Sequence, residues 1–167
     1  MNPADFDEVH EVLFRLGIAT LLGALVGIDR DLHRKPAGLR VLALVAVGAT
    51  TATMLSVMAV GVDPHGHINI LPTVQGILSG IGFLGGGVII HGQGRREVHG
   101  LTTAAAIWVV AVIGVACGFG FWTLVGGAFI VTILVLIFGW GIEHYFLVQL
   151  ESADADKPRP KQHEPRE

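Results

Sequence analysis

Residues 76–90 have the sequence GILSGIGFLGGGVII, and this apolar stretch decides what kind of fold the chain can adopt. Six of its fifteen residues are glycine, and nearly all the others are aliphatic or aromatic. In water each interior glycine costs a helix about 1 kcal/mol relative to alanine. In a bilayer an apolar segment stays helical despite its glycines, because the backbone there must satisfy its own hydrogen bonds. The stretch therefore predicts a membrane-spanning helix.

Small residues recur in this stretch at a spacing of four, since Gly76 precedes Gly80 and Gly82 precedes Gly86 in this way. Glycines at this spacing let a neighbouring helix approach closely, so we expect other helices to cross this one tightly. Packing alone explains a single pair of this kind, whereas six glycines followed by a polar loop also suggest an interaction surface. Whether the helix is continuous or broken at 85–87 stays open. The predicted packing or interaction residues are Gly76, Ser79, Gly80, Gly82, Gly85, Gly86 and Gly87.

The composition of the whole chain is that of an integral membrane protein. Hydrophobic residues make up 51% of the 167 residues and charged residues only 15%, against about 25% charged in a soluble domain. The basic residues occur in short clusters at the ends of apolar runs, a pattern that does not indicate nucleic-acid binding. The lipid bilayer is therefore the first predicted partner.

The residues that usually carry chemistry form no recognisable motif. No GxSxG, HExxH or P-loop pattern occurs, so we predict neither an enzyme nor a cofactor. The single cysteine, Cys117, excludes an intramolecular disulfide and is expected to be a packed, inert thiol. Asp63, His65 and His67 could bind a metal weakly, but two histidines in a flexible loop are more often solvated, so no metal site is predicted.

Five apolar runs predict five transmembrane helices and an all-α polytopic fold. They lie at about 12–28, 40–62, 72–90, 101–117 and 121–142. Residues 101–142 hold 42 uncharged residues, about twice what one span needs, and Gly118-Phe119-Gly120 is expected to turn the chain between two helices. The expected domains are an N-terminal segment at 1–11, a five-helix membrane domain at 12–150 and a disordered polar tail at 151–167.

The distribution of Lys and Arg predicts how the helices are oriented. Basic residues occur in 29–40, in 91–100 and in the tail, whereas 1–11, 63–67 and 118–120 have none. By the positive-inside rule the basic segments are cytoplasmic. The N-terminus is therefore predicted to lie outside and the C-terminus inside. The N-terminal segment also lacks the basic region of a cleavable signal peptide, so the first helix is expected to be retained.

Charged residues at helix ends form the candidate functional cluster. Asp29 and Arg30 lie at the end of the first helix, and Arg40 lies at the start of the second. Asp29 and Arg40 could pair across the hairpin and fix it. The same residues could instead form a polar cluster at the cytoplasmic mouth that binds an ion or a partner, and their spacing leaves both interpretations open.

Two further polar features carry expectations. Arg15 lies one turn into the first helix with Glu11 four residues before it, the favourable order for an acid–base pair, and we expect its side chain to snorkel to the outer interface. Gly100, Thr102 and Thr103 form a loop and helix-start motif in which a threonine is expected to cap the fourth helix.

Four segments together resemble the MgtC/SapB family of bacterial inner-membrane proteins. They are GIDRD at 27–31, KPAGLR at 35–40, SGIGFLGGGVI at 79–89 and VHGLTTAAAIWVVAVIG at 98–114. The resemblance implies a five-helix membrane domain in the bacterial inner membrane. The family usually has Glu in place of Asp29, which keeps the charge. It usually has Thr-His in place of Val41 and Leu42, so any role of that histidine is not carried over.

The resemblance also implies a function. Members are associated with growth in low magnesium, with stress and with restraint of the membrane ATP synthase, and this chain resembles the short, SapB-like members that lack a C-terminal soluble domain. We predict a non-enzymatic regulator that acts through helix–helix contacts with another membrane protein, which by resemblance is the ATP synthase. The alternatives are a small Mg²⁺ transporter or channel and a structural homo-oligomer. Since Mg²⁺ needs oxygen ligands, the lack of a carboxylate inside any predicted span disfavours dedicated Mg²⁺ transport.

Overall fold

The computed structural model describes residues 9–59, 71–90 and 100–155, and it describes the side chains of all these except 90 and 140–155. Throughout these ranges the regular structure is helical. The helices are α1 (Val9–Leu32), α2 (Leu39–Ala59), α3 (Leu71–Ile90), α4 (Leu101–Phe119) and α5 (Trp122–Ala155). Each contains a segment long and apolar enough to cross a membrane. The predicted all-α class with five membrane helices is therefore confirmed for the described part of the chain.

The chain divides into two compact units, Met1–Thr132 and Ile133–Glu167. The first unit contains α1 to α4 and the start of α5. In the second unit the described structure is the remainder of α5, which continues to Ala155. Its helical part therefore extends past the predicted helix end at 142 and includes 151–155, which were assigned to the tail.

The end of α1 differs from the prediction, and the structure of α3 decides a question that the sequence left open. α1 continues to Leu32, four residues past its predicted end at 28, because the charged residues that follow the apolar run extend the helix. α3 is one continuous helix from Leu71 to Ile90, so it is not broken at its three consecutive glycines. Asp63, His65 and His67 lie outside the described residues.

The connection between α1 and α2 is fixed by the second acid of the DRD sequence. After the last residue of α1, Leu32, Arg34 has a φ of 51°. The Lys35 N–H donates to the Arg30 carbonyl at 3.0 Å, which is the pattern of a Schellman cap. The Asp31 Oδ2 then accepts a hydrogen bond from the Leu39 N–H at 3.0 Å. A Cβ atom at Gly38 would overlap this carboxylate, so a side chain there would displace Asp31 from its contact with Leu39.

The turn predicted at Gly118-Phe119-Gly120 is confirmed. Gly120 has a φ of 72°, and its N–H donates to the Cys117 carbonyl at 3.0 Å. The N–H of Phe121 donates to the Ala116 carbonyl, also at 3.0 Å. This second Schellman cap ends α4, and α5 begins at Trp122.

The core of the first unit lies where α4 packs on α2, with α1 against both. Its central buried side chains are Ala49, Met54, Val57, Ala111, Val115 and Phe119. The Thr50 hydroxyl adds a polar link, since its Oγ1 lies 2.8 Å from the Ala46 carbonyl oxygen and 2.9 Å from the Gly114 carbonyl oxygen. Cys117 is a free, buried thiol in this core, as predicted.

Candidate functional site

Arg30 is the most unusual residue of the predicted polar cluster, because its charge is buried. The residue lies near the end of α1 and is 4% exposed. Its Nη2 donates to the Oγ1 of Thr103 in the first turn of α4. Its Nε is buried and has no hydrogen-bond acceptor among the residues that the structure describes. The residue therefore joins α1 to α4, and part of its guanidinium is left unsatisfied.

The other two members of the cluster do not meet across the hairpin. The Asp29 Oδ1 lies 3.5 Å from the Nδ1 of His33, one turn later on the same helix. Arg40 is exposed, and in the described part of the chain it forms no ion pair with Asp29. The Asp29–Arg40 pair, one of the two interpretations that the sequence left open, is therefore not formed between these two described residues, and Asp31 holds the hairpin through a backbone N–H instead. Nothing in the spacing distinguished Asp31 from Asp29, since both acids lie at the end of the same helix.

The start of α4 differs from the expected threonine cap. The N-cap is Gly100, with a φ of 90° and no side-chain capping hydrogen bond. A Cβ atom there would lie 2.9 Å from the Val88 carbonyl oxygen, so the glycine permits both the backbone turn and the close approach of α3. Thr103 is buried and accepts a hydrogen bond from Arg30, whereas Thr102 is exposed. The prediction of a threonine cap was wrong because α4 begins at Leu101, which places both threonines inside the first turn instead of at the N-cap.

Arg15 does not snorkel out of the bundle, as we expected it to do. It is 5% exposed, and its Nε donates to the Glu11 Oε1 at 2.7 Å, which confirms the predicted pair. Its Nη1 donates to the Gly118 carbonyl at 2.8 Å. A Cβ atom at Gly120 would lie 2.9 Å from this Nη1. The guanidinium therefore packs into the C-terminal turn of α4, where a positive charge also faces the negative end of the helix dipole.

The glycines of α3 are mostly open, in contrast to the tight crossing that we expected. A Cβ atom at Gly85 would lie 3.4 Å from the Cβ of Ala104 in α4, an ordinary contact. A Cβ atom at any of the others would meet nothing within 4 Å among the described residues. These open positions are Gly76, Gly80, Gly82, Gly86 and Gly87.

An apolar groove of about 490 Å³ lies between α2 and α3. We call it the α2–α3 groove. Its lining residues are Val41, Leu44, Val45, Gly48, Ala49, Gly76, Ile77, Gly80, Ile81 and Leu84. Glycines thus occur on both walls, while Gly82 and Gly86 lie on another face of α3, as the repeat of about 3.6 residues per turn requires.

The fold and these features define a multi-pass helical membrane protein, with two buried arginines and a largely open glycine helix. The family model for the MgtC family matches residues 16–145. The chain therefore belongs to the MgtC family, as its sequence segments predicted.

Three relatives illustrate the similarity. Protein SrpB of Synechococcus elongatus is 43% identical over 118 residues, which cover 66% of this chain and 65% of SrpB. Protein SapB of Bacillus subtilis is 37% identical over 115 residues, covering 67% of this chain and 49% of SapB. Protein MgtC of Salmonella typhimurium is 47% identical over 108 residues, which cover 65% of this chain and 43% of MgtC. The chain thus spans between 43% and 65% of the length of these relatives. No solved structure matches it.

Proposed function

We propose that this protein acts without catalysis, as a regulator whose α2–α3 groove binds a transmembrane helix of another membrane protein. The observation that carries the proposal is the open glycine pair on the groove wall. A Cβ atom at Gly76 or Gly80 would meet nothing within 4 Å. Helices associate in a bilayer through close packing at small residues, since lipid offers no hydrophobic driving force. An open small-residue surface is therefore suited to a partner helix.

The shape and chemistry of the groove also fit a helix. Its walls run over residues 41–49 of α2 and 76–84 of α3, a rise of about 12 Å or just over two helical turns. The lining side chains are all apolar, so the partner is expected to present small and aliphatic residues. The family resemblance suggests the membrane ATP synthase as that partner, and adaptation to low magnesium or other stress as the setting.

Cation transport has less support in the structure. The two ionic side chains buried in the described spans are both arginines, Arg15 and Arg30, and their positive charge opposes the passage of a cation. The unbroken α3 also keeps its carbonyls in helical hydrogen bonds, so they are not free to line a path. Measured cation uptake into proteoliposomes that Asp29→Asn abolishes would overturn the regulatory proposal.

The proposal is tested by co-purification of the tagged protein from native membranes. Gly80→Leu places a side chain in the α2–α3 groove and is expected to remove the partner. Gly17→Leu is the matched control, because Gly17 is exposed on α1 and its added Cβ would also meet nothing within 4 Å. Thermal unfolding of both variants checks that the fold is kept.

Three outcomes count against the proposal. They are the absence of any specific partner in several detergents, equal loss of the partner with Gly17→Leu, and equal retention with Gly80→Leu. Cross-linking of the protein only to itself, abolished by Gly80→Leu, would assign the groove to a homo-oligomer instead.

A further inference from the structure

Among the described residues no carboxylate forms a hydrogen bond with the Arg30 guanidinium, and the nearest negative charge, that of Asp29, acts on it only through space. Arg30 is 4% exposed, and its Nη2 donates to the neutral hydroxyl of Thr103. In the described part of the chain its Nε has no acceptor. The neighbouring Asp29 carboxylate faces His33, and within the described residues Arg30 forms no ion pair. A buried charge is costly unless it is both paired and fully hydrogen-bonded. An acceptor that carries negative charge would therefore stabilise this guanidinium.

The start of α4 adds a second positive feature at the same place. Thr103 is the third residue of α4, so its bond with Arg30 holds the guanidinium at the helix N-terminus. The N-cap residue, Gly100, has no side chain and supplies no capping hydrogen bond. The first N–H groups of a helix have no intrahelical acceptors and carry the positive end of its dipole. A buried guanidinium and a helix N-terminus therefore lie side by side, and their positive potentials add. Features of this kind are usually balanced by a hydrogen-bonded anion.

We propose that Arg30 and the first turn of α4 bind a phosphate group, independently of the α2–α3 groove. A phosphate can accept charge-assisted hydrogen bonds from the Arg30 Nε–H and from first-turn N–H groups at the same time, because its oxygens point in several directions. Arg34, Lys35 and Arg40 are exposed on the hairpin that follows Arg30, and their charge raises the local concentration of anions. The phosphate comes either from a phospholipid headgroup or from solution.

The first test measures thermal unfolding of the purified full chain in a maltoside detergent. Inorganic phosphate is added at constant ionic strength, with chloride as the matched anion, since a ligand that binds the folded state raises its stability. We expect phosphate to raise the unfolding temperature of the wild-type protein more than chloride does. Arg30→Gln should weaken the apparent phosphate affinity by about tenfold or more, because a hydrogen bond to a charged group is lost. Arg34→Gln, which removes an exposed charge from the same hairpin, should leave most of the affinity.

The second test identifies the lipid source. The protein is delipidated and supplied with phosphatidylglycerol, and retained lipid is counted by native mass spectrometry. A lipid that wild type and Arg34→Gln retain but Arg30→Gln loses assigns the site to a headgroup, whereas a response in the first test alone assigns it to free phosphate. If Arg30→Gln does not fold, Arg30→Lys keeps the charge without the Nε–H and is expected to bind more weakly in the same assays. Equal responses of wild-type protein to phosphate and chloride with no Arg30-dependent lipid, or equal binding by wild type and the Arg30 variants, would overturn the proposal.

Discussion

Glycines serve opposite purposes in the two parts of the helical bundle. Gly23 of α1 and Gly114 of α4 lie where these helices cross α2. An added Cβ atom would lie 2.7 Å from a backbone oxygen of α2, that of Leu42 for Gly23 and that of Ala46 for Gly114. In α3 an added Cβ atom at Gly76 or Gly80 would meet nothing within 4 Å. The burial of the helices follows the same division, since 61% of the α4 span is buried but only 6% of the α3 span.

This difference indicates that some glycines contribute to the stability of the bundle and others to the binding of a partner. A glycine that lets two backbones touch stabilises the bundle, because the close contact adds dispersion and weak Cα–H···O interactions. A glycine that faces open space contributes nothing to the bundle and costs little when replaced. Gly23 and Gly114, which lie at the crossings with α2, should therefore control folding, and the open α3 glycines should control what binds to the folded protein.

Replacing Gly114 should give the largest effect. A Cβ atom there would lie 2.7 Å from the Ala46 carbonyl oxygen and 3.0 Å from the Ala49 Cβ, so Gly114→Leu must separate α2 from α4. We expect a loss of about 3 kcal/mol or more in the free energy of unfolding, at the upper end of overpacking effects. Reversible unfolding in mixed micelles measures it, with Gly80→Leu as the control. Similar stabilities for the two variants would contradict the division between the helices.

A buried arginine lies at each end of α4, and the two differ in how fully they are hydrogen-bonded. At the C-terminal end Arg15 donates both to Glu11 and to the Gly118 carbonyl. At the N-terminal end the Nε of Arg30 finds no acceptor within residues 9–59, 71–90 and 100–155. Arg15→Met should lower the free energy of unfolding by about 2 kcal/mol, because the Gly118 carbonyl then loses a charged donor.

Arg40→Met is the matched control for this prediction. Arg40 is exposed, so its replacement should change the free energy of unfolding by no more than about 0.5 kcal/mol. Equal losses for the two variants in the same micelle assay would show that the Arg15 contacts do not contribute specifically to stability.

The sequence predicted the helices well because a membrane span depends on local composition. Residues 101–142 required two spans, and Gly118-Phe119-Gly120 supplied the turn between them. Which glycines meet a neighbour could not be predicted in the same way. Gly114 and Gly118 are four residues apart, as are Gly76 and Gly80, and the spacing does not encode which side of a helix faces the bundle.

Site contacts were predictable only where both partners are close in the chain. The Glu11–Arg15 pair follows from a spacing of four on one helix, and the structure contains it. The Gly118 carbonyl, which accepts a hydrogen bond from the Arg15 Nη1, is 103 residues away in the sequence. The hydrogen bond of Arg30 to Thr103 joins residues 73 apart. Both contacts depend on how α1 and α4 pack, for which no local signal exists.

The smallest effect is expected for Gly80→Ala, and it is the most direct test of whether the α3 surface is open. The added methyl group would meet nothing within 4 Å, and alanine is at least as favourable as glycine in a helix, so the free energy of unfolding should stay within about 0.5 kcal/mol of wild type. The matched variant Gly23→Ala brings the same methyl group to 2.9 Å from the Ala46 Cβ and should cost about 1–3 kcal/mol. Unfolding of both in one lipid–detergent mixture makes the comparison. If Gly80→Ala costs as much as Gly23→Ala, α3 is packed against another helix in the membrane. If it leaves unfolding unchanged yet weakens partner capture, the α3 glycines act in binding alone.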